Sequence, residues 1–251
     1  MCIRDSDHEL ASHLAKKAGS ELLKLRDDGI TSGINSWVLR DKADIFAHHL
    51  IVNELARHRP QDSVLSEEGA DDLTRTQANR VWIVDPLDGS QDYPYSGSEE
   101  WAVHIALVDN GQIVAGAVSC PSLNRLYSTA MLYPKERPVS DSKLVISNRW
   151  NSYQASYVAD AIDARLASCG SAGIKASLVI GGEADVYIHN SGLYEWDVCG
   201  PIAVARAAGL TACQLDGTDF IFNKEVPIVR GLIISHPELI DDVLNVLDRT
   251  R

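Results

Sequence analysis

The stretch WAVHIALVDNGQIVAGAVS, residues 101–119, constrains the fold more than any other part of the chain. Two apolar runs flank Asp109-Asn110-Gly111, and an Asn-Gly pair readily adopts the positive φ angles of a tight antiparallel turn. RLYSTAM (125–131) adds a third strand to that meander, and VWIVD (81–85) is a short apolar strand upstream. Two helices precede them. A stripe of Leu10, Leu14, Ala18, Leu22 and Leu25 predicts a helix over 7–26. Ala47, Leu50, Ile51 and Leu55 predict another over 44–57, ended by Pro60.

YPKERPVSDS (133–142), polar and carrying two prolines, is the expected boundary between two subdomains, 1–140 and 141–251. The first is read as α+β with an antiparallel sheet. In the second, a strand at 143–147, a helix near 152–167, a strand around 184–188, a helix at 197–208 and a strand at 228–234 alternate in α/β fashion. A last helix is expected to start at Ser235-His236-Pro237, since proline suits a first turn. Leu239, Ile240, Val243, Leu244 and Leu247 form its buried face.

At 251 residues and 45% hydrophobic content the chain can bury a full core. Its formal charge of -12 argues against binding nucleic-acid polymers, which requires a basic footprint. A small anionic substrate stays open, because bound divalent cations reverse the sign locally. Five scattered cysteines (Cys2, Cys120, Cys169, Cys199, Cys213) show no Cys-x-x-Cys pair. They predict reduced thiols in a cytoplasmic protein rather than a disulfide framework or a zinc site. No apolar run approaches the ~20 residues of a membrane span. The start, MCIRDSDHEL, is charged where a signal peptide is apolar, so no membrane partner is expected.

Three acidic clusters stand where the chain changes direction: SEEGADD (66–72), Asp85-Pro86-Leu87-Asp88 at a strand end, and Glu195-Trp196-Asp197 before a helix whose first turn is expected to hold Gly200 and Pro201. Each has a plain reading alone. Asp-Pro-Leu-Asp-Gly is also a turn, Glu67-Glu68 a solvated loop, and Asp197 a helix cap. Together they suit a hard divalent cation, which takes oxygen ligands, several of them carboxylate. Two side chains and the Leu87 carbonyl can converge if Pro86 restrains the turn. Gly89 and Ser90 then offer backbone N–H groups to a phosphate oxygen.

Other candidates carry less. The histidines of HELASH (8–13) lie five apart, off a common helix face, and His48-His49 reads as helix surface. His104 reads as structural, and His189 as either structural or a substrate contact. Lys175 is either a surface lysine at a helix start or a phosphate contact, the preceding Gly-Ser-Ala-Gly favouring the latter. Trp101 reads as a packing residue, and Trp196 as packing beneath the metal site and orienting Asp197.

SEEGA, WIVDPLDGSQDY and EWDVCGPIAVARAAG together resemble the inositol monophosphatase superfamily of magnesium-dependent, lithium-sensitive phosphatases, in the family's order and spacing over nearly the whole chain. VLSEEGADDLTRTQANRVWIVDPLDGS, EEWAVHIAL, Glu195 and GSAGIK (170–175) are most similar to the bacterial 3′(2′),5′-bisphosphate nucleotidase branch, of actinobacterial type. The resemblance implies a layered α-β-α-β-α sandwich with a largely antiparallel N-terminal sheet and the site between two subdomains. It makes Glu67, Asp85, Asp88 and Asp197 the carboxylates, and the Leu87 carbonyl the backbone ligand, of two or three magnesium ions. Asp88, Gly89, Ser90 and Asp197, with Gly170, Ser171 and Lys175, would meet substrate. Glu67 and Ser90 would activate and orient the attacking water, and Asp44 would pair with the Ser90 hydroxyl.

The implied reaction is in-line hydrolysis of the 3′-phosphate of adenosine 3′,5′-bisphosphate, without a phospho-enzyme. Inositol 1-phosphate and fructose 1,6-bisphosphate are alternative substrates. A metal- and nucleotide-binding regulator is the non-enzymatic alternative. A homodimer is a family expectation. The chain departs from the family pattern at two points: RDKADIF has Lys42 where relatives carry threonine, and QDY (91–93) stands where most have Asn-Phe.

Overall fold

The structure is a computed structural model that describes residues 3–133, 142–150 and 153–250. The expected boundary at 133–142 lies, from 134 to 141, outside the described residues. Helix α1 spans Ile3–Thr31 and α2 spans Ser36–His58, each longer than its apolar stripe. The side chain of Asn35 caps α2 by accepting from the Trp37 N–H at 2.9 Å. Strands β1 (Ser63–Ser66), β2 (Arg80–Asp88), β3 (Ala102–Asp109), β4 (Gln112–Cys120) and β5 (Arg125–Ser128) make one sheet in that order. β1 runs parallel to β2, and the remaining pairs are antiparallel. The turn at Asn110-Gly111, with φ of 50° and 79°, bears out the hairpin.

The alternation of β2 explains the layering, because successive side chains point to opposite faces. Trp82 and Val84 pack with α1 and α2, whereas Val81 and Ile83 face a second core shared with the rest of the chain. That second core is filled by α4 (Ala172–Ile180) and α5 (Glu195–Ala207). Burial of each large aliphatic side chain there contributes roughly 1.5–3 kcal/mol. Beyond lies the second sheet, containing β6 (Lys143–Ser147), β7 (Ala164–Ser168), β8 (Val186–His189), β10 (Thr211–Cys213) and β12 (Leu232–Ser235), in the order β10-β12-β8-β6-β7. Its far face, with Val145, Val186, Ile188 and Ile233, is covered by α3 (Tyr153–Ala161) and α6 (Ile240–Arg249). The result is an α-β-α-β-α sandwich. A short ribbon pairs β9 (Leu193–Tyr194) with β11 (Ile228–Val229).

Several expected elements differ. The helix near 152–167 ends at Ala161, and β7 takes its second half after Asp163 turns the chain at φ 53°. As an edge strand with mostly exposed positions, β7 lacks the apolar alternation that marks a strand. The strand at 228–234 breaks at Arg230-Gly231, where φ reaches 138°, into β11 and β12 of different sheets. Ser235 closes β12, residues 237–239 form a turn, and α6 begins only at Ile240. Helix α5 begins at Glu195, so Gly200 and Pro201 fall in its second turn rather than its first.

Candidate metal and phosphate site

The site begins with a register irregularity. A three-residue spacing would send Asp85 and Asp88 to opposite faces of a regular strand. Asp85 pairs with His104 on β3, Asp88 pairs with Ala102, and the register shifts between them. Pro86 lies inside that shift and has no N–H for the ladder. Both carboxylates consequently reach the imidazole of His104, with Asp88 Oδ2 at 3.1 Å from Nε2 and Asp85 Oδ2 at 3.9 Å from Nδ1. Asp85 also accepts from the Leu87 N–H at 3.1 Å, which fixes the turn.

Glu67 arrives through the parallel pairing of β1 with β2, which sets Ser66 opposite Val84. The Glu67 N–H donates to the Val84 carbonyl at 3.2 Å, leaving Glu67 beside Asp85. Asp197 stands in the first turn of α5 and accepts from the Tyr194 N–H at 2.6 Å, half of a capping box. From the second half of the chain, Ser171 Oγ and the Gly173 N–H (2.8 Å) both donate to Asp88 Oδ2. Ser171 caps α4 through the Ile174 N–H at 3.1 Å.

Burial and mutual repulsion dominate the electrostatics of these carboxylates. Withdrawal of its carboxyl from water, then the charge of Asp197, push Glu67 up to about 7, although the residue keeps an exposed edge. Burial and then Glu67 raise Asp85 well above the usual carboxylate range. Burial and then Asp88 push Asp197 up to about 6. Burial would raise Asp88 too, but His104, Ser171 and the Gly173 N–H hold it low. Asp44, on α2, rises to about 7 through burial and the charge of Glu68. Its neighbours are Glu68, Arg40 and Asp41, and the expected pairing with the Ser90 hydroxyl is not among its interactions.

Among the described residues, no three His, Cys, Asp or Glu side chains converge tightly enough to hold an ion as they stand. Asp85, Asp88 and Asp197 are turned toward protein partners. The donor set nonetheless fits a hard divalent cation: four carboxylates whose charge is otherwise opposed by burial and by one another. When bound, such an ion supplies positive charge against phosphate oxygens and acidifies water.

A cavity of about 320 Å³ opens beside these acids, lined by Asp88, Gly89 and Ser90 on one side and by Gly170, Ser171 and Lys175 on the other. Gly89, at φ 81°, passes so close to the Glu100 carbonyl that a Cβ would collide with it. Lys175, expected at the substrate phosphate, lines this wall but spends its ammonium on the carbonyls of Cys169 (3.2 Å), Gly170 (3.1 Å) and Ser171 (2.8 Å). Buried against the ring of Tyr187, it holds the Gly-rich turn in shape and has no donor left to present. Burial lowers His189 to about 4; its Nε2 lies 2.7 Å from Ser191 Oγ, and it too lines the cavity.

Two features escaped sequence reasoning. His104, read as structural, is the imidazole between Asp85 and Asp88. A Cβ on Gly173 would strike its Nε2, and one on Gly200 would come 2.9 Å from its Cβ, so both glycines clear its place. Trp196 serves through its carbonyl, 3.3 Å from His104 Nδ1, while its ring stacks on Tyr194 at 4.5 Å. The second feature is a clasp in the departing QDY segment. Arg149 donates to both oxygens of Asp92 at 3.1 and 3.0 Å and to Glu100, and Glu100 also accepts from the Gly170 N–H. Its members are isolated in sequence, so only the polar character of QDY hinted at it.

Clustered carboxylates beside a glycine-lined cradle, inside a five-layer sandwich, define a metal-dependent phosphatase. The chain belongs to the inositol monophosphatase family, whose sequence pattern matches residues 5–247; its phosphatases depend on metal ions, generally magnesium. It is 36% identical over 240 residues to the 3′-phosphoadenosine 5′-phosphate phosphatase of Mycobacterium bovis, covering 92% of this chain and 89% of that protein. With the 3′(2′),5′-bisphosphate nucleotidase CysQ of Escherichia coli K12 it shares 32% identity over 214 residues, 78% of this chain and 85% of the other. The crystal structure of CysQ from Bacteroides thetaiotaomicron superposes with a TM-score of 0.76 at 27% identity, covering 92% of this chain and 97% of that one. No described helix is long and apolar enough to cross a membrane.

Proposed function

We propose that the protein is a magnesium-dependent phosphomonoesterase that hydrolyses the 3′-phosphate of adenosine 3′,5′-bisphosphate to AMP and phosphate. The observation that carries this reading is the meeting of Asp88 with Ser171 and Gly173, which joins the acidic turn to the wall of a cavity large enough for a nucleotide. The names of the mycobacterial and enterobacterial relatives point to the same substrate class. Residues 1–140 would carry most of the metal ligands, and 141–251 would supply Asp197 and the facing wall.

In this reading Glu67, Asp85, Asp88, Asp197 and the Leu87 carbonyl hold two or three magnesium ions. Gly89 and Ser90 bind the scissile phosphate through backbone N–H groups. The Ser90 hydroxyl orients the attacking water, and Asp44 is assigned to pair with that hydroxyl. His104 holds Asp88 and Asp85 in place. The reading takes the protein as cytoplasmic and homodimeric, which fractionation and light scattering test.

Phosphate release from adenosine 3′,5′-bisphosphate, inositol 1-phosphate and fructose 1,6-bisphosphate, compared with magnesium and with added lithium, tests the substrate. The nucleotide should turn over fastest and lithium should inhibit. Preference for either of the other two overturns the nucleotidase reading. Unchanged turnover in Asp88→Asn or Glu67→Gln overturns the metal assignment.

A further inference from the structure

A nucleoside bisphosphate has a second phosphate, which needs a cation, yet the chain is strongly acidic and Asp88, Asp92 and Asp197 line the cavity. Among the described residues, the lysine and arginine side chains lining it are Arg149 and Lys175. Lys175 has all three of its donors engaged by backbone carbonyls. Arg149 does not. A guanidinium has five N–H donors, and three are in use, two on Asp92 and one on Glu100. One hydrogen on Nη1 and that on Nε remain.

The two carboxylates fix the plane of the guanidinium, so little further rotamer entropy is lost when a ligand arrives. Gly170 permits this packing, since a Cβ there would lie 2.5 Å from Asp92 Oδ2 and 3.3 Å from Arg149 Nη2. Arg149 also screens the cavity from Asp92 and Glu100, whose charges repel a phosphate.

We propose that Arg149 is the specificity-determining residue that selects substrates carrying a second, non-scissile phosphate. This rests on the nucleotidase reading above. Removing Arg149 costs the phosphate two donors and uncovers two carboxylates, whereas a substrate with a neutral end loses neither.

The test compares kcat/KM for adenosine 3′,5′-bisphosphate and for adenosine 3′-monophosphate, at saturating magnesium, in the wild type, Arg149→Gln and Arg149→Gln/Asp92→Asn. In Arg149→Gln the bisphosphate value should fall by about tenfold to a hundredfold, mainly through KM, as for loss of a charged hydrogen-bonded contact. The monophosphate value should change less than about threefold. The double variant should recover part of the loss, because one repelling charge is gone; a clasp with only a structural role would lose more. Equal losses on both substrates, no loss, or a further loss in the double variant each overturn the proposal and leave the nucleotidase reading standing. If the wild type hydrolyses neither nucleotide but releases phosphate from inositol 1-phosphate, the nucleotidase reading falls, and this proposal with it.

Discussion

The fully buried imidazole of His104 places Nε2 3.1 Å from Asp88 Oδ2, at the point where β2 slips its register against β3. Together with Ser171 and the Gly173 N–H, this contact keeps Asp88 below the usual carboxylate range against its burial, while Asp85, Glu67 and Asp197 are all pushed above it. One turn thus contains two carboxylates of opposite tendency: Asp85 faces other acids, whereas Asp88 faces the imidazole, Ser171 and the Gly173 N–H.

His104→Ala removes the group that orients Asp88. We expect the magnesium concentration for half-maximal activity to rise by about 10–100-fold, the range measured for partners that orient metal ligands. A magnesium titration of activity checks this, and an unchanged midpoint would assign His104 to packing alone.

Metal binding should release protons. Without a cation, Glu67 holds its proton to about 7 and Asp197 to about 6, and a ligand must be deprotonated to bind. Magnesium affinity should therefore rise as pH goes from about 6 to about 8. Calorimetry at one pH in two buffers of different ionisation enthalpy reads the proton count. Identical heats in both buffers would contradict the expectation.

Gly173→Ala places a methyl group against His104 Nε2 and 2.8 Å from the Ala102 side chain. Overpacking of this kind costs about 1–3 kcal/mol. Denaturant unfolding should show that loss together with reduced activity, whereas Gly192→Ala, in open space, serves as the neutral control.

His189 gives a pH signature in stability. Its folded value is lowered from 6.5 to about 4 by burial, so the unfolded chain takes up the proton first on acidification. Its contribution is complete above pH 6.5 and is lost as pH falls through the window down to about 4. The difference in unfolding free energy between wild type and His189→Gln should change across that window. A constant difference from pH 7 to pH 4 would refute the assignment.

The acidic motifs were legible because each joins residue types of narrow chemistry at a short spacing: Asp-Pro-Leu-Asp-Gly, Glu-Glu and Trp-Asp. The meander was legible for the same local reason, an Asn-Gly turn between apolar runs. The edge strand β7 was not, since an exposed edge imposes no alternation on its residues. Lys175 was read as a phosphate contact from four preceding small residues, and its three carbonyl acceptors come from the shape of the turn itself. Arg149, Asp92 and Glu100 are ordinary polar residues until the fold sets them together.

The sequence by itself determined which carboxylates are available, the hairpin that organises the first sheet and the family to which the chain belongs. Those properties reside in short segments, where spacing and residue type suffice. Tertiary structure alone decided that Asp85 and Asp88 share one imidazole, that Lys175 is spent on the backbone, and that Arg149, among the described residues, is the cation left facing the cavity. The physical reason is that the Lys175 contacts follow the three-dimensional shape of its own turn, the shared imidazole follows a register slip, and the Arg149 clasp is a contact with Asp92, 57 residues away. No local pattern encodes such a distance.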